Sequence, residues 1–292
     1  VGDRGRGANN TSNLTDPVHT FSAPGTYTVR FVSIPTPGCL SDTIPKQIIV
    51  PDFPSGTISG TNSVCQNAAA QTITFTGTGG TTPYTFTYNL NGGAAQTINT
   101  TGTATTATIS VPTTTSGNFI YTLTNIRNLN SSLCTQAVTG QSATITINPL
   151  PTATITGNTT VCQNTPQPDI IFAGANGTAP YTFTYTLDNG SGPGPLQTTT
   201  TSTGNSVNLP VSTSTTGTFI SNLVSVADAS STVCSHPQSG TATVTVQATS
   251  TAMISGTATV CQNGTAPVIT FTAANGIAPF TFTYNINGGA TQ

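Results

Sequence analysis

Glutamate and tryptophan are absent from this chain of 292 residues, Lys46 is its one lysine and Met253 its one methionine. Without glutamate, paired-carboxylate chemistry falls to seven scattered aspartates, Asp3, Asp16, Asp42, Asp52, Asp169, Asp188 and Asp228. Charged residues make up 4% of the chain, five of them basic, with a formal net charge of −2. That excludes a nucleic-acid partner, because neutralising phosphates takes clustered lysine and arginine. No run approaches the apolar length of a membrane span and no basic-apolar leader opens the chain. Membrane insertion of this segment is therefore not expected, and any export signal or anchor belongs outside it. Between the repeats described next, Asp52 is the one acid, too little for a calcium site at a junction. The repeats hold no lysine for a Lys–Asn isopeptide staple, and the missing tryptophan weakens the case for sugar stacking. There is no Cys-x-x-Cys, and Cys234-Ser-His236 is a lone pairing, so neither a metal site nor a cofactor is assigned.

What the chain has is a long repeat. Cys-Gln-Asn recurs at Cys65, Cys162 and Cys261, spaced 97 and 99 residues apart (162 − 65 and 261 − 162). Each copy precedes an apolar segment (Ile73–Phe75, Ile170–Phe172, Ile269–Phe271) and then an aromatic one (Tyr84–Tyr88, Tyr181–Tyr185, Phe280–Tyr284). A period this long describes whole domains in series, since solenoid repeats are shorter. About a fifth of the residues are threonine, alternating with apolar residues as in Thr144-Ile145-Thr146-Ile147, the period-two pattern of half-buried strands. In Tyr84-Thr85-Phe86-Thr87-Tyr88 the aromatics share one face and the threonines the other. Asn91-Gly92 and Asn287-Gly288 supply hairpin turns that tolerate positive φ.

Strands are predicted around Ile58, Ile73–Phe75, Tyr84–Leu90, Thr108–Val111, Phe119–Leu123 and Ala143–Ile147, with a weaker seventh near Gln96–Thr100, and no window has helical periodicity. Seven short strands in about 97 residues describe an all-β, immunoglobulin-like sandwich. Proline-marked connectors, Pro51–Pro54 and Asn148–Pro151, give the boundaries; the third, Gln247–Ser250, lacks proline. The expected division is 1–52 as the later part of a related domain, 53–149 and 150–248 as full repeats, and 249–292 as the first half of a third. Both ends read as cut, and short stiff connectors imply an extended rod.

Each repeat carries one early and one late cysteine. Pairing inside repeats gives Cys65–Cys134 and Cys162–Cys234, leaving Cys39 and Cys261 for residues outside the segment. Loops of about 70 residues closed this way contribute roughly 4 kcal/mol per bond. It requires the early cysteine to sit on a first strand running parallel beside the last. The rival scheme crosses the connectors as Cys39–Cys65, Cys134–Cys162 and Cys234–Cys261, and needs cysteines of neighbouring domains within about 7 Å. Six cysteines in such a chain fit an oxidising, extracellular compartment.

Two resemblances follow from the motifs. His19-Thr-Phe21-Ser-Ala-Pro24-Gly25-Thr26-Tyr27-Thr-Val29 resembles the late-strand signature of PKD domains, and Gly2-Asp3 resembles that family's Gly-Asp turn, with Val1 and Arg4 departing from it. The repeats, with Val-Cys-Gln-Asn, Pro-Tyr/Phe-Thr-Phe-Thr-Tyr and Gly-x-Phe-Ile, resemble PKD-like repeats of giant Bacteroidota surface proteins, including gliding-type adhesins exported by the type IX system. The resemblance implies an extracellular, repeated, non-enzymatic chain at the cell surface, and it carries no binding site across. Asp42-Thr43-Ile44 also resembles the acceptor of Bacteroidota O-glycosylation, a match that arises easily by chance in a threonine-rich chain.

No catalytic residue is assigned, since an array of catalytic domains would repeat its nucleophile and the equivalent loops differ. His19 falls inside the PKD-like motif and His236 in a predicted surface loop, Asp188 in an Asp-Asn-Gly turn and Asp169 at a strand edge. Ile120 and Ile220, out of phase with buried neighbours, are the candidate exposed apolar contacts. The expected function is a stalk or filament shaft of a large adhesin, with neighbouring domains, identical chains or surface glycans as partners. The alternatives are a subunit that polymerises by strand complementation, or a spacer or carbohydrate-binding array of a secreted polysaccharide-degrading enzyme.

Overall fold

The computed structural model describes residues 14–33, 42–129 and 134–292, so Cys39, Asp3 and the Gly2-Asp3 motif lie outside the described residues. The chain divides into two compact units, Val1–Ile147 and Asn148–Gln292. All regular structure among the described residues is β. The first unit opens on an antiparallel pair, β1 (Gly25–Ser33) and β2 (Asp42–Val50), with Gly25 opposite Val50.

Eight strands follow: β3 (Ser55–Ser59), β4 (Asn62–Cys65), β5 (Gln71–Thr78), β6 (Tyr84–Leu90), β7 (Gln96–Asn99), β8 (Thr106–Val111), β9 (Gly117–Asn128) and β10 (Thr135–Asn148). They form a three-stranded sheet, β3-β5-β8, and a five-stranded sheet, β4-β10-β9-β6-β7. The inner faces meet in one core, with Ile73, Phe75, Phe86, Leu123, Ile126 and Ile145 fully buried. The seven predicted strands are all present. The eighth, β4, was not predicted, and Thr85 is buried beside the aromatics instead of facing solvent.

The second unit repeats this plan with β11 (Thr152–Thr156), β12 (Thr159–Cys162), β13 (Asp169–Ala175), β14 (Thr182–Asp188), β15 (Pro193–Thr200), β16 (Ser206–Pro210), β17 (Gly217–Ala227), β18 (Ser235–Pro237) and β19 (Thr241–Gln247). Here β11-β13-β16 faces β12-β19-β17-β14-β15, with β18 paired to β17. Ile170, Phe172, Phe183, Val226 and Val244 fill the core. A further antiparallel pair, β20 (Thr251–Ser255) and β21 (Thr270–Ala274), starts the next copy. A three-stranded sheet packed on a five-stranded one, with the first strand shared between them, is an immunoglobulin-like sandwich.

Two glycines of each repeat explain why the chain takes this path. Gly60, Gly157 and Gly256 have φ of 116°, 119° and 110°. A Cβ there would come within 2.3, 2.5 and 2.3 Å of the carbonyl oxygens of Thr72, Asp169 and Val268. In both complete repeats this is where the chain leaves the small sheet and, two residues on, joins the large one. Gly77 and Gly174 lie under the rings of Tyr84 and Tyr181, which an added Cβ would meet at 2.6 and 2.5 Å. Each tyrosine then reaches back with its hydroxyl, to the carbonyls of Gly79 and Gly177 respectively. The Asn-Gly turns form as predicted: Asn91 and Gly92 have φ of 51° and 71°, and Gly93 N donates to Leu90 O at 2.9 Å.

Gly157→Ala is expected to cost the second repeat about 1–3 kcal/mol, since the methyl meets backbone and the left-handed φ forbids an easy escape. Gly204→Ala, at φ 74° with open space around it, is expected to cost less. Urea unfolding of the two variants of the full chain, followed by tyrosine fluorescence, compares them.

A second expectation concerns alkali. Burial pushes the phenols of Tyr88 and Tyr185 up, and that of Tyr121 is raised by burial and then by the neighbouring Tyr88. Their hydroxyl groups are neutral in the fold, those of Tyr88 and Tyr185 donating to Gln96 Oε1 and Gln197 Oε1 at 2.9 and 3.1 Å. A phenol that ionises later folded than unfolded contributes full stability below its unfolded value of about 10, and that contribution is lost as pH rises through the raised value. The thermal midpoint is therefore expected to fall above about pH 10, and the fall is expected to shrink in Tyr88→Phe/Tyr185→Phe.

Candidate functional site

The Cys-Gln-Asn motif is a turn that locks one end of the sandwich. In the second repeat, β12 runs parallel to β19 and sets Cys162 opposite Gln247, the last residue of the last strand. Asn164 then takes a left-handed φ of 64°, and its N–H donates to Thr213 O at 3.0 Å. Gln163 Nε2 donates to Ser214 O at 2.8 Å and Thr213 Oγ1 to Thr165 O at 2.6 Å. The first repeat makes the same bonds: Asn67 at φ 65°, its N–H on Thr113 O at 2.9 Å, and Gln66 Nε2 on Thr114 O at 2.7 Å. Asparagine is present because it tolerates the left-handed region, and glutamine because its amide reaches from the end of β4 or β12 to the loop that leads into β9 or β17.

The late cysteine sits in a different environment. Cys234 is fully buried, in a loop organised by Asp228, whose side chain is also buried. Asp228 Oδ1 accepts from Ser230 Oγ at 2.7 Å and Cys234 N at 2.9 Å, and more weakly from Ser230 N at 3.3 Å. Its Oδ2 accepts from Thr178 N at 3.0 Å. Val233, at φ 50°, turns the chain back into this pocket. A β-branched residue there is strained by about 1 kcal/mol or more. In the first repeat Asn128 takes the place of Asp228. Its Oδ1 accepts from Thr81 N at 3.2 Å, while its buried Nδ2 lacks a hydrogen-bond partner among the described residues. The common position of Asn128 and Asp228, six residues ahead of the late cysteine in each repeat, is the signal that sequence reasoning passed over.

Neither predicted disulfide scheme is formed. Cys134 and Cys162 carry free thiols, as does the exposed Cys261, whereas Cys65 and Cys234 are disulfide-bonded. The pairs Cys65–Cys134 and Cys162–Cys234 fail on register. The parallel first strand that they require is present, but it delivers Cys162 to the far end of β19, beside Val246, which lies opposite Gly217. Cys234 follows the other end of β17, where Ala227 lies opposite Thr182. Ten residues of strand (227 − 217) separate those ends, about 33 Å, against the 7 Å limit for a disulfide. The connector-crossing pairs Cys134–Cys162 and Cys234–Cys261 are likewise not made, because three of those four sulfurs are free.

The remaining candidates have structural surroundings. Asp188 Oδ1 accepts from Gly190 N and Gly192 N at 2.8 and 3.0 Å, and Asp169 opens β13 and accepts from Asn208 Nδ2 at 2.9 Å. Asp52 Oδ1 accepts from Phe53 N at 2.8 Å. His19 packs edge-on against Phe21 with ring centroids 4.7 Å apart. His236 lies in β18 and not in a loop, its Nδ1 2.9 Å from Gln238 Nε2. Among the described residues no three of His, Cys, Asp or Glu gather as a metal site would require. Tyr84, Phe86 and Tyr88 are core and offer no stacking platform. Ile120 is 42% exposed as predicted, and Ile220 is half-buried. No helix among the described residues is long and apolar enough to cross a membrane.

No protein-family model matches the chain, and no curated protein matches it. Among solved structures it is similar to titin domains I67–I69 in an E-to-A mutated variant, at 12% identity over 83% of this chain and 81% of that one, TM-score 0.44. It is also similar to the D0–D1 domain of intimin, at 16% identity over 67% of this chain and all of that one, TM-score 0.23. A biofilm-associated protein BSP domain matches at 16% identity over 66% of this chain and 29% of that one, TM-score 0.21. These likenesses concern fold alone, and the strand order and register above carry the assignment.

Asp228→Ala would leave Thr178 N, Ser230 N, Ser230 Oγ and Cys234 N without their shared acceptor. The expected cost is about 3 kcal/mol, read as a lowered denaturation midpoint together with faster amide exchange at Thr178 and Cys234.

Proposed function

We propose that this chain is a non-enzymatic shaft segment of a large extracellular bacterial surface adhesin, of the PKD-like repeat type found in gliding and attachment proteins of Bacteroidota. One observation carries the reading. The Cys-Gln-Asn turn, the glycine–tyrosine contact, the Asn/Asp pocket and the Asn-Gly hairpins all serve folding. The motifs that recur at the repeat spacing thus go into building the same sandwich again. A disulfide in a chain with 4% charged residues suits an oxidising exterior. The solvent faces are largely hydroxyl and amide, which favours weak contacts insensitive to salt over steered binding. Surface glycans or identical neighbouring shafts are the partners that fit such a face, and type IX export is the route the resemblance suggests.

In-frame deletion of residues 53–248 from the native gene tests the shaft. Attachment of cells to a surface under flow is expected to fall at least tenfold, while the remaining protein is still exported and detected on intact cells by antibody. Unchanged attachment, or a repeat that antibody and external protease reach only after lysis, would overturn the reading.

A further inference from the structure

Two repeats built on one plan reveal, position by position, what one core has and the other lacks. Near the start of β9, Tyr121 is buried opposite Leu90, its ring centroid 6.1 Å from that of Tyr88. The second repeat has Ser221 at that position, opposite Leu187 and on the inner face between Phe219 and Leu223. A phenol ring is thus exchanged for a hydroxymethyl group, and the core does not close over the difference. A cleft of about 170 Å³ is lined there by Tyr185, Leu187, Leu209, Val211, Phe219 and Ser221. In the first repeat the cleft at this end is walled by Leu90, Val111, Phe119 and Tyr121, and it stops short of Tyr88.

Ser221 is wholly buried, and its Oγ has no hydrogen-bond partner among the described residues. A buried hydroxyl left unpaired costs stability. Water is a poor remedy, because it needs about two to four polar partners. Those at the rim are engaged: Gln197 Oε1 accepts from the Tyr185 hydroxyl at 3.1 Å, and Ser212 Oγ bonds Ser214 Oγ at 2.9 Å. An apolar cavity of about 150 Å³ is large enough for one benzene ring.

We propose that the second repeat carries a binding site for a small neutral phenol. Its ring occupies the region that the Tyr121 ring fills in the first repeat, and its hydroxyl turns inward to Ser221 Oγ. The walls select this class of ligand. No charged side chain lines the cleft, so a carboxylate or an amine would lose hydration without compensation. A saccharide would bring several hydroxyl groups to a site with one waiting partner, and a plain hydrocarbon would leave Ser221 unpaired.

Amide shifts of the isotopically labelled 292-residue chain, titrated with phenol and separately with benzene, test the site. Phenol is expected to shift Leu187, Phe219 and Ser221 saturably, with a dissociation constant of about 1 mM or tighter. Leu90, Phe119 and Tyr121 are expected to stay in place. Ser221→Tyr is expected to abolish the shifts by supplying the ring from within. Because that ring can overfill the core, Ser221→Ala is the companion variant. The native chain is expected to bind phenol about fivefold more tightly than benzene, and Ser221→Ala to reverse the preference. No saturable shift by phenol, equal shifts in both repeats, or the same phenol-to-benzene ratio in the native chain and Ser221→Ala would overturn the proposal.

Discussion

Everything distinctive about this chain depends on one glycine per repeat. Gly60 and Gly157 let the first strand start in the small sheet and finish in the large one, at a backbone angle and a proximity to a carbonyl that no side chain tolerates. Had the strand stayed in the small sheet, the following cysteine would not lie beside the last strand. Because it crosses, β12 runs parallel to β19, and the Cys-Gln-Asn turn caps the end of the sandwich from which the chain departs. A local steric exception thereby fixes where the Cys-Gln-Asn turn sits.

The sandwich itself was legible from alternation. Threonine between aliphatic residues marked the strands, and Tyr-Thr-Phe-Thr-Tyr marked the core strand, because one face of a pleated strand must be apolar throughout. Asn-Gly marked the hairpins through its backbone preference. What escaped was short or non-local. β4 has only four residues, too few for a period, and its partner β10 begins 70 residues later (135 − 65) with no turn to announce it. Thr85 reads as an outward residue, yet it is 2% exposed, because alternation says which face a side chain takes and not what covers that face. The cysteines show the same limit. Their order along the chain gives one early and one late per repeat, and only strand register reveals that the two lie at opposite ends. Asp228 looked like one of seven scattered carboxylates until the fold placed it, like Asn128, at the centre of the late-cysteine loop.

The physical character of the protein follows from what stabilises it. Its cores are aromatic and aliphatic, and its surface is hydroxyl. Bonds from buried threonine to backbone recur in both repeats, as where Thr100 and Thr201 accept from the N–H of Tyr84 and Tyr181 at 2.8 and 2.9 Å. With so few charges, neither salt nor moderate pH has much to act on. Core packing and these backbone bonds, more than ion pairs, hold such a fold together.

Stretching single molecules of the native chain from its two ends, in reductant, tests the mechanical account most directly. If each repeat is its own folded link of a shaft, two separate extensions are expected, each near the length of a repeat of 97–99 residues, about 340 Å of extended chain. A single gradual extension at low force, with no separate events, would contradict the account.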